Sequence, residues 1–400
     1  MIELKSKADC CGCSACAEIC AHHAILLSYD EEGFEYPEID SAKCVNCGLC
    51  EKVCPIINVR PEQVRPQKAY LLQIKDEIIR KESTSGGSFT AIASWVIRQK
   101  GVVFGAVFDA SLTFVSHQYV DNERDLSLFR NSKYVQSKIG EAYKMVRSYL
   151  KQDRWVCFSG TPCQIEGLVS FLTKSYPKLL LIDVVCYGIP SPGIFKDYLA
   201  WQKEKRGGEF TRFLFREKLL SYNYTSISIY NKDSSRDYHC GVERDKFMRS
   251  FFSDCNIRPS CYSCKFKKRY RVSDFTIWDC YEVEKFTKNM DDKGTNRILA
   301  HTKKAVHIIN EIRDDVRLEE YGDIDYFIKD EKAMTRSVIM SKDREHFFAD
   351  YQSMPFSLFI DKWLKDTLMV RLNSFLRMTA YKLGIYNKAK KVVKTILHKK

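Results

Sequence analysis

In the middle of the chain, short apolar runs typical of strands alternate with longer segments typical of helices. Residues 154–158 (RWVCF) and 179–185 (LLLIDVV) are short and apolar, and the segment 163–173 between them is predicted as a helix. Short apolar runs bounded by turn residues are typical of buried strands, and this order predicts two parallel strands joined by a right-handed crossover. A further helix, capped by Ser191, follows the second strand.

The flanking segments extend this pattern. The stretch SGGSFTAIASWVIRQKG predicts a turn, a helix that opens near Ser85–Ser88 and a stop at Gly101, and the last 45 residues are mostly helical. Further strands are predicted over residues 102–108, 112–120, 210–217 and 224–231. The whole predicts an α/β (α+β) protein with a mixed-sheet body and a helical C-terminus.

Composition narrows the class of protein. The 400 residues are 45% hydrophobic and 29% charged, which excludes wholesale disorder, and the length predicts two or three domains. No run approaches the ~18 apolar residues of a membrane span, and the N-terminus (MIELKSKADCC) lacks the apolar segment of a secretory signal. We therefore expect a cytoplasmic protein, whose 17 cysteines are metal ligands or redox groups rather than disulfides.

The net charge of +13 is concentrated at the C-terminal end. Residues 367–400 hold nine Lys or Arg and no Asp or Glu, so the rest of the chain sets 55 basic residues against 51 acidic ones. The composition of the body therefore does not suggest a face that binds nucleic acid. A basic amphipathic helix can pack on the body or lie on an anionic membrane. We expect packing for 356–384, and contact with the inner face of a membrane or with an acidic partner for 385–400.

An internal repeat of cysteines occupies the first 54 residues. Two sets with the spacing C-x2-C-x2-C-x3-C are displaced by 34 residues. In this spacing three close cysteines ligate one [4Fe-4S] cluster and the fourth ligates the other cluster. The predicted ligands are Cys10, Cys13, Cys16 and Cys54 for one cluster, and Cys44, Cys47, Cys50 and Cys20 for the other. Structural zinc is the alternative, but zinc usually takes two separated C-x2-C pairs.

Later cysteines follow the predicted parallel strands. Cys163 and Cys186 fall at carboxyl ends of strands, where ligands collect, and Cys261 and Cys264 form a C-x2-C pair. These four could hold a third cluster. The spacing equally allows buried structural cysteines, or a zinc ribbon formed by Cys255, Cys261, Cys264 and Cys280.

Two glycine-containing turns precede helices. They are Ser85–Gly86–Gly87–Ser88 and Gly160–Thr161–Pro162. Glycine lets a backbone approach a ligand closely, and a helix N-terminus favours phosphate. A plain turn or helix cap is the simpler interpretation of each alone.

Taken together, seven motifs resemble the coenzyme F420 hydrogenase/dehydrogenase beta-subunit family, which also includes hydroxymethyl-chlorophyll reductase. They occur in the family's order and span about residues 68–310. The motifs are STSGGSFTA (83–91), SKYVQS (132–137), SGTPCQIEGL (159–168), CYGIPSP (186–192), RPSCYSCKFK (258–267), SDFTIWD (273–279) and DDKGTN (291–296).

The resemblance implies a flavoprotein with FAD and a [4Fe-4S] cluster in the α/β body. Cys163, Cys186, Cys261 and Cys264 would ligate that cluster, which brings the total to three. The residues that would line the FAD site are Ser85, Gly86, Gly87, Ser88, Thr90, Ser132, Lys133, Tyr134, Gln136, Ser137, Gly160, Thr161 and Gln164. Two departures concern the ligand pocket: Trp278 stands where the family usually has glycine, and Asn296 where it usually has serine.

The domain boundaries follow from these assignments. We expect a 2[4Fe-4S] ferredoxin-type domain over 1–58, a linker over 59–68, an FAD- and cluster-binding domain over 69–330, and a helical basic region over 331–400.

The implied function is that of an FAD-dependent iron–sulfur oxidoreductase. Electrons would pass from a ferredoxin-type redox protein through the clusters to FAD and on to a small organic substrate, with surface-polysaccharide biosynthesis as the suggested pathway. The alternatives are an electron-transfer subunit of a larger complex and a true F420 oxidoreductase. The sequence nominates no catalytic acid or base, predicts no nucleic-acid partner and leaves a homo-oligomer open.

Overall fold

The computed structural model describes residues 2–386, so most of the segment 385–400, for which membrane contact is predicted, lies outside the described residues. The strands are β1 (Ile25–Tyr29), β2 (Glu35–Ile39), β3 (Lys68–Ile74), β4 (Val102–Phe108), β5 (Val115–Val120), β6 (Ser137–Lys138), β7 (Val156–Gly160), β8 (Leu179–Val184), β9 (Phe210–Glu217), β10 (Ser226–Asn231), β11 (Arg236–Gly241), β12 (Phe275–Asp279), β13 (Asn296–Ala300) and β14 (Val316–Tyr321). The helices are α1 (Ala15–Ile19), α2 (Leu49–Lys52), α3 (Glu77–Glu82), α4 (Ser88–Arg98), α5 (Ala142–Lys151), α6 (Pro162–Leu172), α7 (Pro192–Arg206), α8 (Lys246–Phe252), α9 (Lys303–Glu311), α10 (Ile324–Ile328), α11 (Arg344–Ser353), α12 (Phe356–Trp363) and α13 (Leu368–Lys382).

A nine-stranded mixed sheet forms the centre of the body. Its order is β14-β3-β13-β12-β8-β7-β4-β5-β6, and β12, β8, β7 and β4 run parallel. The predicted strand–helix–strand unit is β7–α6–β8, with Val156 opposite Leu179. Fold class is therefore confirmed as mixed α/β.

Helices cover both faces of the parallel strands, which explains their unbroken apolar runs. Cys157 and Leu180 pack with α4 and α9 on one face, whereas Phe158 and Leu181 pack with α5 and α6 on the other. The predicted strands 210–217 and 224–231 belong to a separate antiparallel sheet, β11-β10-β9. β11, which the sequence pattern missed, completes that sheet.

The N-terminal module is docked on the body. Its β1–β2 hairpin inserts Phe34, which is fully buried, into the same core as Phe348. Arg344 donates two hydrogen bonds to the Glu32 carboxylate, at 2.9 and 2.5 Å. A Cβ on Gly33 would lie 2.7 Å from the Gly193 Cα, so only glycine allows this close approach. The hairpin turn therefore fixes the module in place.

The segment between module and body lies against the body. It has no helix or strand until β3 begins at Lys68. Arg60 forms an ion pair with Glu166 at 2.7 Å, and Arg65 donates to the Ser273 carbonyl oxygen at 3.3 Å. The predicted linker is thus an extended segment that is bound to the body by side-chain contacts.

The C-terminal helices differ in how they pack. Phe359 and Ile360 of α12 are buried with Phe347 of α11, as the packing prediction for 356–384 requires. α13 has no buried residue, so the prediction that this helix packs its apolar stripe on the body is wrong. No helix within residues 2–386 is long and apolar enough to cross a membrane.

Candidate redox site

Four of the repeat cysteines surround one small cavity. Cys10, Cys13, Cys16 and Cys54, the predicted first set, line it together. Burial, followed by the charges of Cys10 and Cys54, raises the pKa of Cys16 to about 12. The chain folds so tightly here because Gly12 and Ser14 adopt left-handed backbone conformations, with φ of 68° and 62°. We call these four cysteines the proximal group.

The other repeat cysteines line a second cavity. Cys20, Cys44, Cys47 and Cys50 surround it, which is the crossed grouping that the spacing predicts. Three of them are partly buried and Cys47 is exposed. This distal group therefore lies at the protein surface, whereas the proximal group faces the body.

Cysteines of the body form a third group. Cys163 is the second residue of α6, Cys186 follows β8 after one residue, and Cys261 and Cys264 lie on the turn 259–263 and directly after it. Burial, and then the charges of Cys186, Cys264 and Cys163, raise the pKa of Cys261 well above its usual range. The four sulfurs are thus mutual neighbours.

The rival zinc quartet is not brought together. Cys280 packs with Trp278 and Met290 in a separate apolar cluster, and Cys255 belongs to the core around α7 and α8. Throughout residues 2–386, no group of three or more His, Cys, Asp or Glu side chains could hold a single metal ion.

A junction of side chains joins the proximal and third groups. The neighbouring Cys13 thiol and burial raise the pKa of Cys11 well above its usual value, and Cys163 is its other neighbouring thiol, so this cysteine lies between the two groups. Arg258, fully buried, donates from Nε to the Cys10 carbonyl oxygen at 2.8 Å, and its Nη2 lies 3.5 Å from Cys10 Sγ. Gln136 Nε2 donates to the carbonyl oxygens of Cys11 and Gly12.

A cavity of about 340 Å³ opens beside the third group, at the carboxyl ends of the parallel strands. Gly160 of β7, Val184 of β8 and Asp279 of β12 line it, together with Cys186. This is where an open α/β sheet binds ligands, and the volume is at the lower end of about 300–1,000 Å³ for small-molecule sites.

The three predicted ligand loops converge on this cavity. Thr84 Oγ1 lies 3.0 Å from Ser132 Oγ, and Gln164 Nε2 donates to Ser137 Oγ at 2.9 Å, so the loops hold one another. The predicted residues that line the cavity are Ser85, Gly87, Ser88, Thr90, Ser132, Lys133, Tyr134, Gln136, Ser137, Gly160, Thr161 and Gln164. Gly86 is not among the lining residues, because it packs against the backbone of Leu72 and Asn296.

A buried polar atom at the cavity has no partner in the described chain. Ser88 Oγ, in a fully buried residue at the start of α4, makes no hydrogen bond. Buried polar groups are normally paired, so this hydroxyl suits a polar ligand. Asn296 Oδ1 already accepts from the Ser88 N–H at 3.1 Å, whereas the Ser88 hydroxyl has no partner.

Charged side chains at the cavity are fixed in position by hydrogen bonds to other groups of the protein. Lys133 Nζ donates to three backbone carbonyl oxygens at 3.0, 3.1 and 3.2 Å, and burial lowers its pKa to about 7. Buried Arg216 donates to the Asp279 carboxylate at 2.9 Å and to the Tyr134 hydroxyl at 3.1 Å. Asp279 and Tyr134 are thereby fixed at the cavity wall.

Sequence reasoning missed Arg258, Arg216 and His117. His117 lines the cavity, bonded to Ser137 Oγ at 2.9 Å and to the Ser159 carbonyl oxygen at 2.8 Å. For Arg258 a signal existed, since it precedes Pro259 within the RPSCYSC motif. Arg216 and His117 lie outside the recognised motifs and reach the site only through the tertiary fold.

Comparison with protein families gives two matches. Residues 9–57 match a 4Fe-4S dicluster domain, and residues 153–323 match the C terminus of the coenzyme F420 hydrogenase/dehydrogenase beta subunit. The first match contains both cysteine repeats and the second contains the third cysteine group. The protein is therefore an iron–sulfur protein of an oxidoreductase class, built on a mixed α/β body.

Over residues 153–323 the chain is similar to the C-terminal part of the coenzyme F420 hydrogenase/dehydrogenase beta subunit. It is 27% identical over 169 residues to a coenzyme F420-dependent sulfite reductase from Methanocaldococcus jannaschii, a match that covers 42% of this chain and only 26% of that protein. A chain of the F420-reducing [NiFe] hydrogenase complex from Methanosarcina barkeri aligns with a TM-score of 0.44 and 12% identity, covering 68% of this chain and 89% of that one.

Proposed function

We propose that the protein is an iron–sulfur flavoprotein that moves electrons between a ferredoxin-type redox protein and a small organic substrate. The observation that carries the proposal is the succession of cysteine groups. The distal group lies at the protein surface, the proximal group faces the body, and the third group adjoins the ligand cavity. Such a succession suits charge transfer from the surface to a buried site.

The residues that would hold the cofactors are the twelve grouped cysteines and the lining of the cavity. Bound clusters supply one-electron chemistry, and FAD supplies both one- and two-electron chemistry. The unpartnered Ser88 hydroxyl at the start of α4 suits a phosphate oxygen of FAD. Arg216 holds Asp279 and Tyr134 in place at the cavity wall, where a substrate would meet the flavin.

The surface around the distal group is the contact site for the redox partner, because the other side of the docked N-terminal module faces the body. Cys47 is exposed there, and neighbouring Val45 and Leu49 are 58% and 42% exposed. Small apolar patches with a redox centre beneath them suit weak, transient electron-transfer complexes. The organic substrate should be sought first among the intermediates of surface-polysaccharide biosynthesis.

Anaerobic reconstitution followed by iron, sulfide and flavin quantitation tests this proposal. We expect about twelve irons and one FAD per chain for three [4Fe-4S] clusters. Cys264→Ser should remove iron from the third cluster, whereas the matched variant Cys280→Ser should leave the iron content unchanged. Eight irons together with zinc, or equal iron in both variants, would contradict the third cluster.

A second candidate is the use of coenzyme F420 in place of a ferredoxin-type donor. The name of the 27% identical relative favours it. Trp278 lines the cavity at a position where the family usually has glycine, and this departure from the family's pattern weighs against it. Flavin reduction by reduced F420, measured in wild type and in Trp278→Gly, separates the two: reduction by wild type supports this candidate, and reduction only by the variant supports exclusion by the indole.

A further inference from the structure

Helix α13 is attached to the body through its polar side. Ser374 Oγ donates to the Glu243 carboxylate at 3.0 Å, and Arg377 donates to the other Glu243 oxygen at 3.4 Å. One turn on, the Tyr381 hydroxyl donates to the Asn223 carbonyl oxygen at 2.8 Å. The positions 374, 377 and 381 lie on one helical face, so the helix turns its hydrogen-bonding side inward.

The opposite face of α13 is apolar and exposed. Leu368, Leu372, Phe375 and Leu376 follow the i, i+4, i+7, i+8 spacing of a single stripe. Their side chains are 85, 52, 60 and 57% exposed, and no residue of the helix is buried. Scattered apolar side chains on a surface are ordinary, but a contiguous stripe on one helix marks a contact surface.

The positive charge around this apolar stripe indicates which kind of partner it contacts. The sequence from 367 to 400 carries nine Lys or Arg and no acidic residue. A second copy would bring two such positive segments together, which is unfavourable. A nucleic acid would pair with the cations but leave the apolar stripe in water. An anionic lipid surface satisfies both, because the stripe enters the acyl boundary while the cations meet the headgroups.

We propose that α13 docks the protein on an anionic membrane surface, with the stripe of Leu368, Leu372, Phe375 and Leu376 facing the lipid. This proposal uses no property of the redox site, so its test is independent of the proposed function. It also differs from the sequence prediction, which gave membrane contact to residues 385–400 and packing to the segment that contains α13.

Vesicle flotation of the full-length, cofactor-loaded protein tests the proposal. We expect the wild type to float with vesicles that contain phosphatidylglycerol, and to stay behind with pure phosphatidylcholine. Because two exposed apolar contacts would be lost, Leu372→Ser with Phe375→Ser should weaken binding about tenfold or more. The control Ile78→Ser removes an apolar side chain of 71% exposure from α3 and should bind as wild type does.

Three results would overturn the proposal. Equal flotation of wild type and the double variant would show that the stripe does not touch lipid. Equal flotation with both kinds of vesicle would remove the role of charge. Dimers in light scattering that the double substitution abolishes, without any vesicle binding, would make α13 a protein–protein contact instead. Unchanged iron content and circular dichroism of the double variant exclude misfolding as the cause of lost binding.

Discussion

Arg258 offers the sharpest test of how the body influences the N-terminal module. Its guanidinium lies 3.5 Å from Cys10 Sγ and also donates to the carbonyl oxygens of Cys10 and Glu35 and to Gln136 Oε1. A positive charge beside a cluster ligand stabilises the more negative, reduced state of that cluster. We therefore expect replacement of Arg258 to make the midpoint potential of the proximal cluster more negative.

The size of the shift follows from Coulomb's law. Two unit charges about 4 Å apart interact by about 4 kcal/mol at an effective dielectric constant of about 20. An electron added to a cluster spreads over all its atoms, so we take about one third of this value, roughly 1.4 kcal/mol. That corresponds to a tenfold change in the ratio of oxidised to reduced cluster, or about 59 mV for one electron.

Redox titration monitored by electron paramagnetic resonance measures this shift. Arg258→Met should move the proximal signal by about 59 mV, and Arg258→Lys, which keeps the charge, should restore most of the potential. The distal cluster in the same molecule provides an internal reference. Arg344→Gln is the matched control, because it loosens the same docking interface without touching a cysteine sulfur. An equal shift in Arg344→Gln, or movement of both clusters together, would refute a charge effect of Arg258.

Four further substitutions probe three separate features. A Cβ on Gly12, where φ is +68°, would lie 2.4 Å from Gln136 Nε2, so Gly12→Ala should lower the free energy of unfolding by about 1–3 kcal/mol. Gly48→Ala, with no atom within 4 Å, should cost only about 1 kcal/mol in the same denaturant titration. Burial lowers the pKa of His117 to about 4, so the unfolded chain takes up this proton more readily than the folded one. Stability should therefore be complete above about pH 6.5 and fall by about 2 kcal/mol at pH 5, and a His117→Asn variant that fell equally would contradict this. Cys11→Ala should keep the iron content of wild type, whereas loss of a full cluster would make Cys11 a ligand.

Much of the site could be read from local patterns. Ligand spacing within a few residues is a property of the sequence alone, and the crossed grouping of Cys20 and Cys54 follows from it without knowledge of the fold. The parallel unit β7–α6–β8 was also predictable, because buried parallel strands require long apolar runs and leave little ambiguity. Strand β11 was not, since RDYHCG carries no clear alternation of buried and exposed positions.

The sequence by itself determined the cysteine spacing of the repeat and the strand–helix–strand unit of the sheet, because each is a pattern of residues close along the chain. The loops that line the cavity were indicated by the resemblance of their motifs to a known family. The tertiary structure alone decided which groups are neighbours. Arg258 reaches Cys10 across 248 positions, and Glu32 meets Arg344 across 312. It also decided that α13 turns its polar face inward and its apolar stripe outward. An amphipathic helix has the same pattern whichever side it buries, and only Glu243 and Asn223, brought there by the fold, select the face that meets the body.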